Sequence, residues 1–244
     1  MADLFAYIMT KGDRSLPTHS SSSQIDEFLR KVAEMPQPAT GGRGRLLFAM
    51  DATASRERTW REASRIQEEM FLETARLGGL DVQLVYYRGF NECRASRWLS
   101  DADGLLSCMR KVDCIGGQTQ IGRVLRHALG QTRKMRVNAL VFVGDCMEEN
   151  VDDLCAVAGE LGLLGVPVFL FHEGDDQVAA RAFAQIAKLT GGACCRFDAS
   201  SPQQLKALLG AVAVYAAGGR KALADYSRRQ GGIVLQITHQ MKGN

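Results

Sequence analysis

From Arg45 onward, short apolar runs alternate with stretches in which apolar residues recur every three or four positions. Continuous apolar runs suit strands buried on both faces, and three- and four-residue steps suit helices with one buried stripe. The alternation predicts an α/β fold: a doubly wound, mostly parallel central sheet with helices on both faces. Leu46 to Met50 is the first expected strand. Trp60, Ala63, Ile66, Met70 and Leu77 then mark one long helix ended by Gly78-Gly79, and Val82 to Tyr87 a second strand. Between Arg88 and Asp113 the pattern loosens, to an expected edge strand around Arg97 to Leu99 and a helix capped by Asp101 that runs through Met109. Ile121, Val124, Leu125, Ala128 and Leu129 form a helical stripe before the strand Ala139 to Val143. The cycle repeats twice, as a helix over Val151 to Leu161 before Val166 to Phe171 and a helix over Val178 to Leu189 before Cys194 to Phe197; a last helix carries Leu205, Leu208, Leu209, Val212 and Ala216.

This core spans residues 45–217 and two extensions flank it. Residues 1–44 form an arm, with a short helix from Ser23 to Ala33, Ser23 and Asp26 as a capping pair, and a Pro/Gly-rich linker from Pro36 to Gly44. Residues 218–244 form a basic extension, in which Gly218-Gly219 precedes a helical segment with Lys221, Arg228 and Arg229, and Gly231-Gly232 precedes a strand-like run, Ile233 to Thr238.

Composition narrows the function classes. A chain of 244 residues that is 46% hydrophobic and 23% charged can bury one large core. Its net charge of +3 is spread along the chain, with no Lys/Arg run interleaved with aromatics, which argues against a nucleic-acid partner. Met1 to Met9 lacks the basic lead-in and apolar length of a signal peptide, and Leu161 to Phe171 and Ala207 to Gly219 fall short of the roughly 20 residues that span a membrane. The expectation is a cytoplasmic protein with no membrane partner. Seven cysteines without a C-x-x-C pair, Cys194-Cys195 included, fit reduced thiols, and four scattered histidines offer no ligand spacing.

The candidate chemistry lies where strands run into helices, since ligands of open parallel sheets bind at the carboxyl ends of the strands. Asp51-Ala52-Thr53-Ala54-Ser55 follows the first strand and offers a carboxylate and two hydroxyls on alternate residues. Cys114-Ile-Gly-Gly-Gln-Thr119 brings another hydroxyl ahead of a helix, on a glycine pair that lets the backbone come close. Val141-Phe-Val-Gly-Asp145 ends a buried strand in a carboxylate. Singly, each such residue reads as a helix cap or turn; three oxygen-bearing loops in this order ask for a common explanation.

A D-x-[ST]-x-S element after the first strand, a Gly-Gly-x-Thr loop before an amphipathic helix and an Asp ending a later strand resemble the metal-ion-dependent adhesion site (MIDAS) of von Willebrand factor A (vWA) domains, over about Arg45 to Val214. The resemblance implies a divalent cation, Mg²⁺ first with Mn²⁺ or Ca²⁺ as alternatives. Thr53 and Ser55 would bind it directly, Thr119 directly or through water, Asp51 and Asp145 largely through water. It further implies a protein-interaction module rather than an enzyme, with a partner's Glu or Asp completing the shell, as in bacterial relatives that work beside MoxR-type AAA ATPases. Such an ion, held by neutral hydroxyls and outer carboxylates, keeps its appetite for one more anion. The chain departs from the family where Gly144-Asp145-Cys146 stands in place of Thr-Asp-Gly and where Gln118 precedes Thr119. Glu148, Glu149, Asp152 and Asp153 are expected to be helix N-terminal charge.

Two alternatives stand beside this reading. Asp51 with Gly144-Asp145 fits the outline of a haloacid-dehalogenase-like, Mg²⁺-dependent phosphatase, although residue 53 is Thr where such enzymes carry an acid/base Asp. The other alternative is a scaffold with a vestigial metal site.

Overall fold

The computed structural model describes residues 30, 43–74, 79–197 and 202–229. The expected helix over 23–33 (Arg30 apart), the linker up to residue 42 and the run 233–238 lie outside them, as do Leu77 and Gly78.

Six strands, β1 Gly44–Asp51, β2 Leu80–Arg88, β3 Glu92–Ala95, β4 Ala139–Gly144, β5 Val168–Glu173 and β6 Ala193–Phe197, form one sheet in the order β3-β2-β1-β4-β5-β6. All neighbours are parallel except β3, which runs antiparallel to β2. The helices are α1 Glu57–Ile66, α2 Glu68–Thr74, α3 Ala102–Met109, α4 Ile121–Lys134, α5 Val151–Leu163, α6 Gln177–Leu189 and α7 Pro202–Arg229.

Both faces of the sheet are covered because the central strands carry consecutive apolar residues, such as Leu46 to Met50 and Ala139 to Val143, and alternate residues point to opposite sides. Leu46, Phe48 and Met50 of β1 pack in one cluster with Trp60, Met70, Leu105 and the buried stripe of α7 from Leu205 to Tyr215. Leu47 and Ala49 face the other way, onto Val124, Leu125, Leu154, Leu161 and Phe183 of α4, α5 and α6. Asp101, Asn150 and Asp176 cap α3, α5 and α6 by accepting hydrogen bonds from first-turn amides.

Two expectations need correction. The edge strand is Glu92–Ala95, and of Arg97 to Leu99 only Leu99 bridges, to Val82. The long helix after β1 breaks at Gln67, where Met70 N turns to Gln67 O in a three-residue step. Ser64 and Thr74 hydroxyls bond back to Trp60 and Met70 carbonyls, contacts that bend helices. At the other end, the expected helical segment does follow Gly218-Gly219, set off from the stretch before it by a sharp bend at Gly219 (φ 67°, ψ −162°), which only glycine adopts without strain. Beyond the bend Ala222 and Tyr226 join the main core, and the Tyr226 hydroxyl lies 2.7 Å from where a Cβ on Gly210 would stand.

The chain runs outward from β1 to β2 and then crosses back to lay β4 on the other side of β1. At such a switch point the loops after the two strands part and leave a crevice. The ends of β1 and β4 therefore set Asp51 and Asp145 on its two walls.

Candidate metal centre

Asp51, the last residue of β1, is fully buried. Its Oδ1 accepts from Thr53 N at 2.7 Å and closes the turn into the following loop. Its Oδ2 accepts from the Tyr87 hydroxyl at 3.0 Å, and the sheet register pairs Asp51 with Tyr87, so strand pairing fixes this contact. Burial pushes the Asp51 carboxyl above the usual carboxylate range, the Thr53 hydrogen bonds pull it partly back, and Asp145 adds repulsion. The Tyr87 hydroxyl is raised well above its ordinary value by burial and the Asp51 charge.

From this anchor one chain of contacts crosses the crevice. Thr53 Oγ1 and Ser55 Oγ share a hydrogen bond of 3.3 Å, and Ser55 Oγ donates to Asp145 Oδ2 at 2.7 Å, 90 residues away in sequence. Asp145 Oδ1 is buried and has no hydrogen-bond partner. Beneath it His172 Nε2 meets the Asp145 carbonyl at 3.1 Å, with the His172 ring edge-on to Phe183 and its pKa lowered by burial. Among the described residues neither Asp51 nor Asp145 is ion-paired with Lys or Arg; the neighbouring Arg56, itself buried, goes to Glu173.

Thr119 arrives on a loop that only glycine permits. A Cβ on Gly117 would stand 2.2 Å from Gly89 O, and Gln118 N donates to that carbonyl at 3.1 Å. Ile115 N bonds Ala52 O at 3.1 Å, tying the loop to the end of β1. Thr119 is then clasped to the Asp145 loop: its N donates to Glu148 Oε2 at 3.1 Å and its Oγ1 accepts from Glu148 N at 3.0 Å. The Glu149 carboxylate accepts from Ile121 N and, at 2.9 Å, from Gly122 N, satisfying orphan amides at the start of α4. Asp51, Thr53, Ser55 and Asp145 thus belong to one hydrogen-bonded string; Thr119 is not on it, its amide and hydroxyl both bonding Glu148, three residues beyond Asp145. Asp152 and Asp153 do sit in the first turn of their own helix, α5, as expected. Glu148 and Glu149 instead reach across to a different loop and helix, and no signal in the sequence names those partners.

Sequence reasoning also passed over Cys146 as a ligand. Asp51, Asp145 and Cys146 each offer one ligand atom, all within 4.8 Å of one another. Burial and the carboxylates of Asp145, Asp51 and Glu148 push the Cys146 thiol up to about 12. Two carboxylates without a cationic partner, three hydroxyls nearby and a buried oxygen lacking any hydrogen bond make a donor set that suits a divalent cation.

No protein-family model matches the chain, and no curated protein matches its sequence. Solved structures do match in shape. One is the SpRpn10 VWA domain, at TM-score 0.54 and 14% identity over 68% of this chain and 94% of that one. The chain has the von Willebrand factor A fold. Other structures share it, among them proximal thread matrix protein 1 from the mussel byssus with a zinc-occupied MIDAS motif (TM-score 0.53, 13% identity, 70% of this chain and 46% of that one). A third is the pilus adhesin SpaC from Lactobacillus rhamnosus GG in its open conformation (TM-score 0.57, 9% identity, 74% and 31%). This chain therefore covers nearly all of the SpRpn10 domain and less than half of either longer protein. In the vWA fold as this chain builds it, the string from Asp51 to Asp145 occupies the crevice at the sheet's switch point.

Proposed function

We propose that this chain is a metal-dependent protein-interaction module: a divalent cation sits among Asp51, Thr53, Ser55, Thr119 and Asp145, and an acidic side chain of a partner completes its shell. The single observation that carries the reading is the string Asp51–Thr53–Ser55–Asp145, which ends in the buried, unpartnered Asp145 Oδ1. The oxygen donors alone suit Mg²⁺, with Mn²⁺ or Ca²⁺ as alternatives. The ion would act as a Lewis acid toward a carboxylate, while the protein fixes the donors and the Glu148–Thr119 clasp holds the two loops in register. In a cell, such a module serves as an adaptor in a larger assembly, of which a MoxR-type AAA ATPase system is one example. Seven cysteines without a disulfide agree with a reducing, cytoplasmic setting. Among the described residues no helix is long and apolar enough to cross a membrane.

The phosphatase alternative needs Asp51 as a nucleophile. Asp51 is instead fully buried, with both carboxylate oxygens already accepting hydrogen bonds, which favours a binding role over catalysis. The experiment is capture of partners on the immobilised full chain with Mg²⁺ and with chelator, alongside Asp145→Ala. Partners retained only with the ion, and lost in the variant, are the expected result; retention indifferent to both sinks the reading and leaves the scaffold. Turnover of generic phosphate esters that Asp51→Asn abolishes would favour the enzyme.

A further inference from the structure

Hydroxyls and carboxylates are hard donors and do not distinguish strongly among Mg²⁺, Mn²⁺ and Ca²⁺, whereas a thiolate selects softer ions. Directly after Asp145 the chain carries Cys146, whose sulfur belongs to the same cluster as the Asp51 and Asp145 carboxylates, all ligand atoms within 4.8 Å. Ligands around a tetrahedral Zn²⁺ at metal distances of roughly 2.0 to 2.3 Å lie about 3.3 to 3.8 Å apart, so the cluster needs to close by only about 1 Å, and each Asp51 oxygen, which accepts one hydrogen bond, keeps a lone pair for the ion. A second observation points the same way: Asp145 Oδ1 is buried and lacks any hydrogen-bond partner. The three ligands come from both walls of the crevice, one at the end of β1 and two just beyond β4. That is the open arrangement of three protein ligands with a fourth position left for another group.

We infer that Cys146 supplies a sulfur ligand to the bound ion, together with Asp51 and Asp145, and that this centre prefers Zn²⁺ to Mg²⁺. The inference rests on the ion-binding reading above and adds to it the identity of the ion. On binding, the S–H bond of Cys146 breaks, a Zn–S bond forms and the proton passes to solvent; nothing is oxidised or reduced. A thiol that coordinates Zn²⁺ gives up its proton to do so. Three anionic ligands outweigh the ion's charge, so the zinc form draws a partner's carboxylate less strongly than a magnesium form held through hydroxyls.

Titration of the reduced full chain with Co²⁺, a spectroscopic stand-in for Zn²⁺, tests the sulfur ligand. A thiolate-to-cobalt charge-transfer absorption should appear, yield to Zn²⁺ but not to a roughly hundredfold excess of Mg²⁺, vanish in Cys146→Ser and persist in Cys155→Ser. Cys146→Ser should lower Zn²⁺ affinity about tenfold or more and Mg²⁺ affinity far less, so that the ratio of the two falls. Co²⁺ that binds without the sulfur band, or wild-type zinc affinity in Cys146→Ser, overturns this inference and leaves the oxygen-only ion site standing. If neither Mg²⁺, Co²⁺ nor Zn²⁺ changes the absorption or the melting of the wild type, both readings fall together.

Discussion

Asp51→Asn separates what the carboxylate costs from what it does. Asp51 is fully buried and its pKa is raised, chiefly by burial, so the folded state holds its proton more tightly than the unfolded chain does. The associated stability is therefore complete below the ordinary Asp pKa of the unfolded chain and is lost as the pH rises through the folded value, so the ionised carboxylate is the destabilised form. Asn keeps the shape and the contact in which Oδ1 accepts from Thr53 N, at 2.7 Å from Asp51, whereas its Nδ2 faces the Tyr87 hydroxyl, at 3.0 Å, as a donor and leaves the buried Tyr87 O–H without its acceptor. In chelator the variant should thus lose no more than about 1 kcal/mol, the relief of the buried charge offsetting the lost Tyr87 bond. With a divalent ion at about 100 times its dissociation constant the wild type should gain about 2.7 kcal/mol, or roughly 5 to 10 °C in melting temperature for a chain of this size, and the variant nothing. Thermal melts of both proteins, in chelator and in ion, decide the matter. A variant that loses more than about 1 kcal/mol in chelator, beyond the worth of one neutral hydrogen bond, refutes the claim that the charge is a burden; a variant that still responds to the ion refutes its role in the site.

Gly117→Ala should cost about 1 to 3 kcal/mol in urea denaturation and blunt the ion response, because its Cβ would stand 2.2 Å from Gly89 O and push the Thr119 loop away. Arg56→Met should lose about 1.5 to 3 kcal/mol by taking a charged donor from the partly exposed Glu173, which keeps Thr59 as a second donor, and Arg56→Met with Glu173→Met should recover part of that. His127, bonded to Gln83 Oε1 at 2.9 Å, has its pKa lowered by burial and then by Lys134, so its contribution is present above the ordinary histidine pKa of the unfolded chain and is lost as the pH falls through the lower folded value. Between pH 7 and pH 5 the wild type should accordingly lose more stability than His127→Gln in urea titrations; equal losses would remove His127 from the account.

The five parallel strands were legible because each is a short run of apolar residues buried on both faces, and that pattern admits few other solutions. β3 was not, because Glu-Cys-Arg-Ala carries no apolar alternation and exists as a strand through its register with Val85 to Arg88. The stripe Trp60, Ala63, Ile66 and Met70 spoke for one helix since the bend at Gln67 leaves those residues on the same side. At the site, Asp51, Thr53 and Ser55 share one turn and could be read together, and Asp145 followed from the end of a second strand. Glu148 and Glu149 could not, since they act on amides 27 to 29 residues away, a distance that only the packing of two loops brings together. Cys146 stood in plain view beside Asp145, but a single thiol acquires meaning only when the opposite wall supplies a carboxylate.

The approach of Gly44 to α7, where an added Cβ would stand 2.4 Å from Ala216 O, bears on how the molecule transmits load. It brings the start of β1 and the stretch of α7 just before its bend together at one pole, whereas the proposed grip lies at the far end of β1, seven residue steps or roughly 23 Å away. Tension between a gripped partner and a tether at Gly44 would run along β1 in shear, against its ladders to β2 and β4 at once. Tension between Gly44 and Ala216 would instead open that pole one contact at a time, so the same domain should be mechanically stiff in one direction and compliant in the other.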